Sequence, residues 1–479
     1  MTTAFSDLHQ YTALPRVDGI AIAPDGSRVL LTVSVLDEDG TGYRRSIWSV
    51  PADGSGAPVR LTRSAKGEGG VAVTRDGDLL FVSGRPDESG NDEAPQLWLL
   101  PAGGGEARPV TALPGGAGGV LGTASGSDLV AITASLLPGA GTDRDTVIAA
   151  DAALRKRRKD GGVAAILHES YPVRYWDHDL GPDEPHVLTL DLGDLREPDL
   201  SDRAARTPAT EAGADVGADA PSYPAHLPAP FDLTPAPGRT LDHVDGTLTP
   251  DGRMLVASVA VPEARGSRSA LVTIDVATGA RTVVLDEPEV DHELPRVSHD
   301  GRTVAWVRTQ RSTPAGAHEQ AVWTAPIRED GSVDVDSARR IATEWDRWPT
   351  ELVFEHGDRA LLATADQDGR APVFRLPLDG GAVEQLTHDD WAYSGLHVAD
   401  ATGEVVALRA SWQAPLHPVR IDADGTVTPL ATPAPLPEVP SRIEDVETTA
   451  AAAPGSAAGS SSPTATVRTR CCSGSTAVR

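Results

Sequence analysis

The sequence predicts an all-β protein, a seven-bladed β-propeller of four-stranded antiparallel blades. Three observations lead there. A phrase of strand, Asp-Gly turn and strand recurs seven times at a spacing near 50 residues, Gly (47) and Pro (39) punctuate the whole chain, and amphipathic stretches of helical length are scarce. A period of roughly 50 residues with four strands per unit is the signature of a propeller blade.

The elements follow in order. Residues 1–16 form an N-terminal segment, and residues 17–434 form the ring. The first unit opens with "VDGIAIAPDGSRVLLTVS", an apolar strand, a turn at Asp25-Gly26 and a second strand. Its third strand holds Ile47, Trp48 and Val50, and a turn at Asp53-Gly54 leads to a short outer strand ending at Leu61-Thr62. The same phrase returns as "GGVAVTRDGDLLFVSG", "GGVLGTASGSDLVAITASL", "DGTLTPDGRMLVASVAV", "LPRVSHDGRTVAWVRT", "TELVFEHGDRALLATAD" and "GLHVADATGEVVALRAS".

The first-hairpin glycines fall at Gly26, Gly77, Gly126, Gly252, Gly301, Gly357 and Gly403, with steps of 51, 49, 126, 49, 56 and 46 residues. The long step marks an insertion in the third blade. A tight hairpin favours glycine at each of these points because its turn requires positive φ. Unrelated sandwiches would not restore one phase seven times. Within the insertion (138–185), residues 143–160 read as a helix; beyond it, residues 196–230, rich in Ala, Pro and Asp, read as a flexible loop. Residues 435–449 read as a linker and 450–479 as a disordered tail.

A formal charge of −27 argues against nucleic acid and anionic membrane as partners, since the summed field repels phosphate. The start of the chain shows neither a basic leader nor an apolar run, so the expected location is cytoplasmic. Cys471 and Cys472 are sequence neighbours and would close almost no loop as a disulfide. No metal-ligand spacing stands out, and no cofactor motif is present.

The densest polar cluster is "RYWDHDLG", with Arg174, Trp176, Asp177, His178 and Asp179. Consecutive residues of an extended segment point to opposite faces, so Asp-His-Asp makes a poor ligand set and a good structural anchor. The basic run at 155–159, "RKRRK", reads as a solvated helix face. The sequence contains no G-x-S-x-G elbow, HGG motif, P-loop or G-x-G-x-x-G. It offers no catalytic residue.

The "APDG" and "TPDG" hairpins, the opening "YTALPRVDGIAIAPDGSRV" and above all "HESYPVRYWDHDLGPDEPHVLTLDL" resemble the N-terminal propeller of the prolyl oligopeptidase family of serine peptidases. The acylaminoacyl-peptidase and dipeptidyl-peptidase-like branch is the one resembled, over residues 5–449. The resemblance implies a propeller that admits oligopeptides and bars folded proteins, followed by an α/β-hydrolase domain with a Ser-Asp-His triad. It also makes Arg174, Trp176, Asp177 and His178 family-motif residues with a structural or gating role.

The pattern departs after "LPEVPSRIEDVETTAA". Residues 450–479 hold no Leu, Ile, Phe, Tyr, Trp, Asp or Glu. Reading each codon across its boundary turns Cys471 to Arg479 into a permitted "LLLWIHGGP", the strand and oxyanion loop that the family places there. The expectation is a frameshifted tail in place of the hydrolase domain, hence a chain inactive alone that self-associates through its bared propeller face. Two other classes compete. A stand-alone protein-binding propeller of the Tol-system type would carry an export signal or a fused partner, and a propeller glycosidase or lactonase would carry convergent carboxylates or a metal set in the channel. The inner-strand starts read mainly as Gly, Val and Thr.

Overall fold

The structure is a computed structural model that describes residues 7–86, 94–143, 146–168, 172–196, 223–264, 266–439, 442–449 and 466–473. Seven four-stranded antiparallel sheets follow one another along the chain. The phase read from the hairpin glycines is the phase observed. Blade 1 is built from Arg16–Ile22, Arg28–Leu36, Tyr43–Pro51 and Val59–Arg60, and blades 2, 4, 5, 6 and 7 repeat that order, each from four consecutive strands. Blade 3 has the same order, with the insertion between its second strand, Leu129–Leu136, and its third, Glu184–Asp191.

The apolar core is divided between the blades. Second and third strands carry the longest buried runs, such as Val29–Ser34 and Ala360–Ala365, because they are covered on both faces by adjacent blades. Among the described residues no strand is shared across the closing junction of blades 7 and 1. That seam is held by Val17, Ile20, Ile22 and Leu31 packed on Val406, Leu408 and Leu430, and by the Ala401 amide donating to the Pro24 carbonyl at 2.9 Å.

Hairpins of first and second strands form one face of the ring, and neighbouring hairpins bond to each other. Arg28 reaches Gly77 O at 2.8 Å, Arg75 reaches Gly126 O at 3.3 Å and Asp128 at 3.0 Å, and Gly126 N donates to Pro250 O at 2.7 Å. Here the sequence expectation needs one correction. Six of the seven hairpin glycines have positive φ, and Gly126 does not. What Gly126 supplies is close approach, since a Cβ there would lie 2.9 Å from Pro250 O.

Six of the seven innermost strands carry a register shift, blade 4 being regular. Bulges raise the local twist and re-aim side chains. In blades 2, 5 and 7 the shift coincides with a left-handed residue: Gly70, Leu294 and Gly395.

The N-terminal segment forms a short helix, α1 (Leu8–Ala13), whose first turn is capped by the Asp7 carboxylate accepting from His9 N at 2.9 Å. In the insertion, helix α2 spans Val147–Asp160, four residues shorter at its start than expected. Of the segment read as a flexible loop, residues 197–222 lie outside the described residues. Its far end is packed: Leu227 and Tyr223 join the core between blades 2 and 3, and Arg196 N donates to His226 O at 2.9 Å.

Thr466–Ser473 pairs antiparallel with Arg442–Thr449, in a register that sets Arg470 opposite Asp445 and Arg468 opposite Glu447. The remaining tail, 450–465 and 474–479, lies outside the described residues.

Candidate functional site

The ring has two unlike faces. The first carries the glycine hairpins, and the second carries the turns between second and third strands, the links between blades, and both ends of the ring. Among the described residues the five exposed aromatic ones, Tyr11, Tyr43, Trp176, Trp348 and Trp412, stand on the second face. Tyr43 and Trp412 sit at turns between second and third strands, Trp348 on the link into blade 6, Trp176 on the insertion and Tyr11 on α1. Leu167, also exposed, lies on the insertion beside them in sequence.

The "RYWDHDLG" segment is a two-strand hairpin, Arg174–Tyr175 against His178–Asp179, with Trp176 and Asp177 at its tip. Trp176 is left-handed (φ 51°) and 95 % exposed. Arg174 pairs with Asp179 at 3.1 Å in the open, where such a pair adds little stability. Arg174, Asp177 and His178 are exposed and do not converge on a common point. The anchor is Tyr175, whose hydroxyl donates to Asp242 at 2.8 Å while its ring lies 5.0 Å from His243. Arg239 completes it, donating to Gly181 O at 2.9 Å and pairing with Asp242. The predicted residues are thus carried outward by an anchor that sequence reading passed over. The available signal was a tyrosine, Tyr175, inside the polar cluster.

Beneath the basic run, Arg155 turns inward and fixes α2 to blade 3. Its guanidinium binds Asp151 at 2.8 Å, Asp183 at 3.0 Å and Ser135 O at 3.0 Å. Lys156, Arg157 and Lys159 remain exposed, as the solvated-face reading expects.

The inner strands are more charged than their sequences suggested. They bring Asp18, Asp245, Glu293, Arg296, Glu351 and His397 to the centre of the ring. Arg296 pairs with Asp245 of blade 4 at 3.1 Å and donates to Leu352 O of blade 6 at 3.0 Å. Glu351 accepts from Gly395 N at 2.8 Å and Leu396 N at 2.9 Å in blade 7. Burial holds the His397 imidazole below its ordinary value, against the pull of Glu351, and burial raises the Glu293 carboxyl. These contacts stitch the channel wall from blade to blade. Among the described residues no three His, Cys, Asp or Glu side chains are grouped to hold a metal ion.

No family model matches the chain, and no curated protein matches it by sequence. Solved structures match it in fold. An acylaminoacyl peptidase of Pyrococcus horikoshii superposes with a TM-score of 0.58 at 11% identity, over 89% of this chain and 54% of its own. A prolyl endopeptidase superposes at 0.55 and 13% identity, over 91% and 52%. The chain has the propeller fold of these peptidases. It spans about half their length, whereas it matches 96% of the β-propeller domain of the trilobed protease from Pyrococcus furiosus, at 0.52 and 10% identity. That domain is described as having an open velcro topology. Among the described residues no helix is long and apolar enough to cross a membrane.

Proposed function

We propose that this chain is the substrate-gating propeller half of a serine peptidase of the prolyl oligopeptidase type, acting in the cytoplasm on oligopeptides when joined to a catalytic domain. The observation that carries this reading is the aromatic face. Among the described residues every exposed aromatic ring stands on the side from which both ends of the ring leave, the side where a continuing polypeptide would sit. A charged channel wall stitched between blades suits a passage for extended peptides, whose width would exclude folded chains. The match in fold over about half of two peptidases supports the same division of labour.

The 479 residues alone then have no nucleophile to offer, because the reading places it in the catalytic domain. Purified protein incubated with acyl-aminoacyl and Xaa-Pro chromogenic substrates is expected to show no turnover above buffer. Turnover that a fluorophosphonate abolishes would overturn the proposal.

A further inference from the structure

The channel wall meets the seam of the ring through one residue of blade 6. Among the described residues blades 7 and 1 share no strand, so the seam closes by packing and by what blade 7 offers to blade 1. On the channel side that offer comes from a bulge in the inner strand of blade 7. Ser394 pairs with Leu408 and His397 with Val406, which leaves Gly395 and Leu396 opposite the single residue Ala407.

Gly395 is left-handed (φ 64°), and a Cβ on it would lie 2.9 Å from Ile20 Cγ2 of blade 1. Leu396 is buried with Leu362 of blade 6 and Tyr393 of blade 7. The bulge is therefore what brings the backbone of blade 7 against Ile20. Its two amides are taken by blade 6: Glu351 Oε1 accepts from Gly395 N at 2.8 Å, and Oε2 accepts from Leu396 N at 2.9 Å. Two successive N–H groups side by side call for a side chain with two acceptors and no donor, which a carboxylate is. The strand that carries Glu351 is itself held from blade 5, by Arg296 Nε donating to Leu352 O at 3.0 Å.

We infer that Glu351 is the latch of the ring: by fixing the Gly395–Leu396 bulge it seats blade 7 on Ile20, and its release loosens the seam between blades 7 and 1 while the other junctions hold. Amides that lose their acceptor favour local opening, and the junction without a bridging strand is where the ring opens most readily.

Hydrogen exchange of the whole protein tests this, followed at Arg16–Ile22 and Ala392–Val398 with Leu129–Leu136 of blade 3 as the reference. Glu351→Gln keeps the size of the side chain but sets an NH₂ donor against one of the two amides. It is expected to speed exchange in both seam strands on the order of tenfold, with the reference unchanged. Gly395→Ala leaves Glu351 in place and puts a Cβ against Ile20, so it is expected to loosen the same two strands. Thr350→Ala removes a neighbouring bond within blade 6, to Thr364, and is expected to leave seam exchange at the wild-type level. Seam exchange within about twofold of wild type in E351Q or G395A, a rise of equal size at Leu129–Leu136, or a T350A protein that matches E351Q would overturn the inference.

Discussion

Asp151→Ala releases the insertion from the ring. The Asp151 side chain is fully buried, with Oδ1 accepting from Leu137 N at 2.8 Å and Oδ2 from Arg155 Nε at 2.8 Å. Alanine removes both bonds and strands the Leu137 amide. Two bonds to a charged group would sum to about 3–6 kcal/mol, and the lower end applies because Arg155 keeps Asp183 and Ser135 O. The apolar grip of α2 is small, with Val147 and Ile148 its only buried apolar residues. A loss of about 3 kcal/mol raises the detached population on the order of 150-fold. Trypsin reads this directly, since residues 155–159 are all basic and cleavage requires the helix to open. D151A is expected to be cut there on the order of 100-fold faster than wild type while its β-sheet circular dichroism is unchanged. Asp151→Asn, which retains an acceptor for Leu137 N, should fall between them. Cleavage of D151A within about twofold of wild type, with the ring intact, would refute the reasoning.

Three further outcomes follow from the geometry. Gly425 has φ +83°, and a Cβ there would stand 2.0 Å from Leu386 O, so Gly425→Ala should lower stability by at least about 2 kcal/mol in urea denaturation. Burial, the largest cause, holds His292, His397 and His417 below the ordinary imidazole value, so the unfolded chain takes up protons first as pH falls. Stability should therefore drop below about pH 6.5, by up to roughly 1.4 kcal/mol per pH unit per imidazole, with the raised Glu293 and Asp400 acting in the opposite sense. His292→Leu should flatten the urea-midpoint slope, because its ring nitrogens make no aligned hydrogen bond, the nearest acceptor being Glu287 at 3.3 Å. Trp176→Ala should leave the urea midpoint within about 0.5 kcal/mol of wild type, since the ring is almost wholly exposed.

The ring was legible because its turns are local. Asp25-Gly26 or Asp76-Gly77 fixes a hairpin with nearest neighbours alone, and seven hairpins in phase fix the blades. Gly126 shows the limit: its glycine answers to Pro250 on the next blade, which no local rule reaches. The motif at 174–179 was legible as a dense polar cluster in an extended segment; its hairpin and its anchor were not, because Asp242 and Arg239 come from the link to the following blade. The aromatic face was hidden for the same reason. Tyr43, Trp348 and Trp412 look like ordinary strand-end residues until the ring assigns them to one side. Glu351, Gly395 and Ile20 are joined only by the order of the blades.

Light scattering of the purified chain over a concentration series tests whether the aromatic face is a docking surface. An uncovered docking surface predicts self-association that grows with concentration and is abolished when Trp176, Trp348 and Trp412 are together replaced by serine. A wild-type chain that stays a monodisperse monomer at high concentration would contradict it.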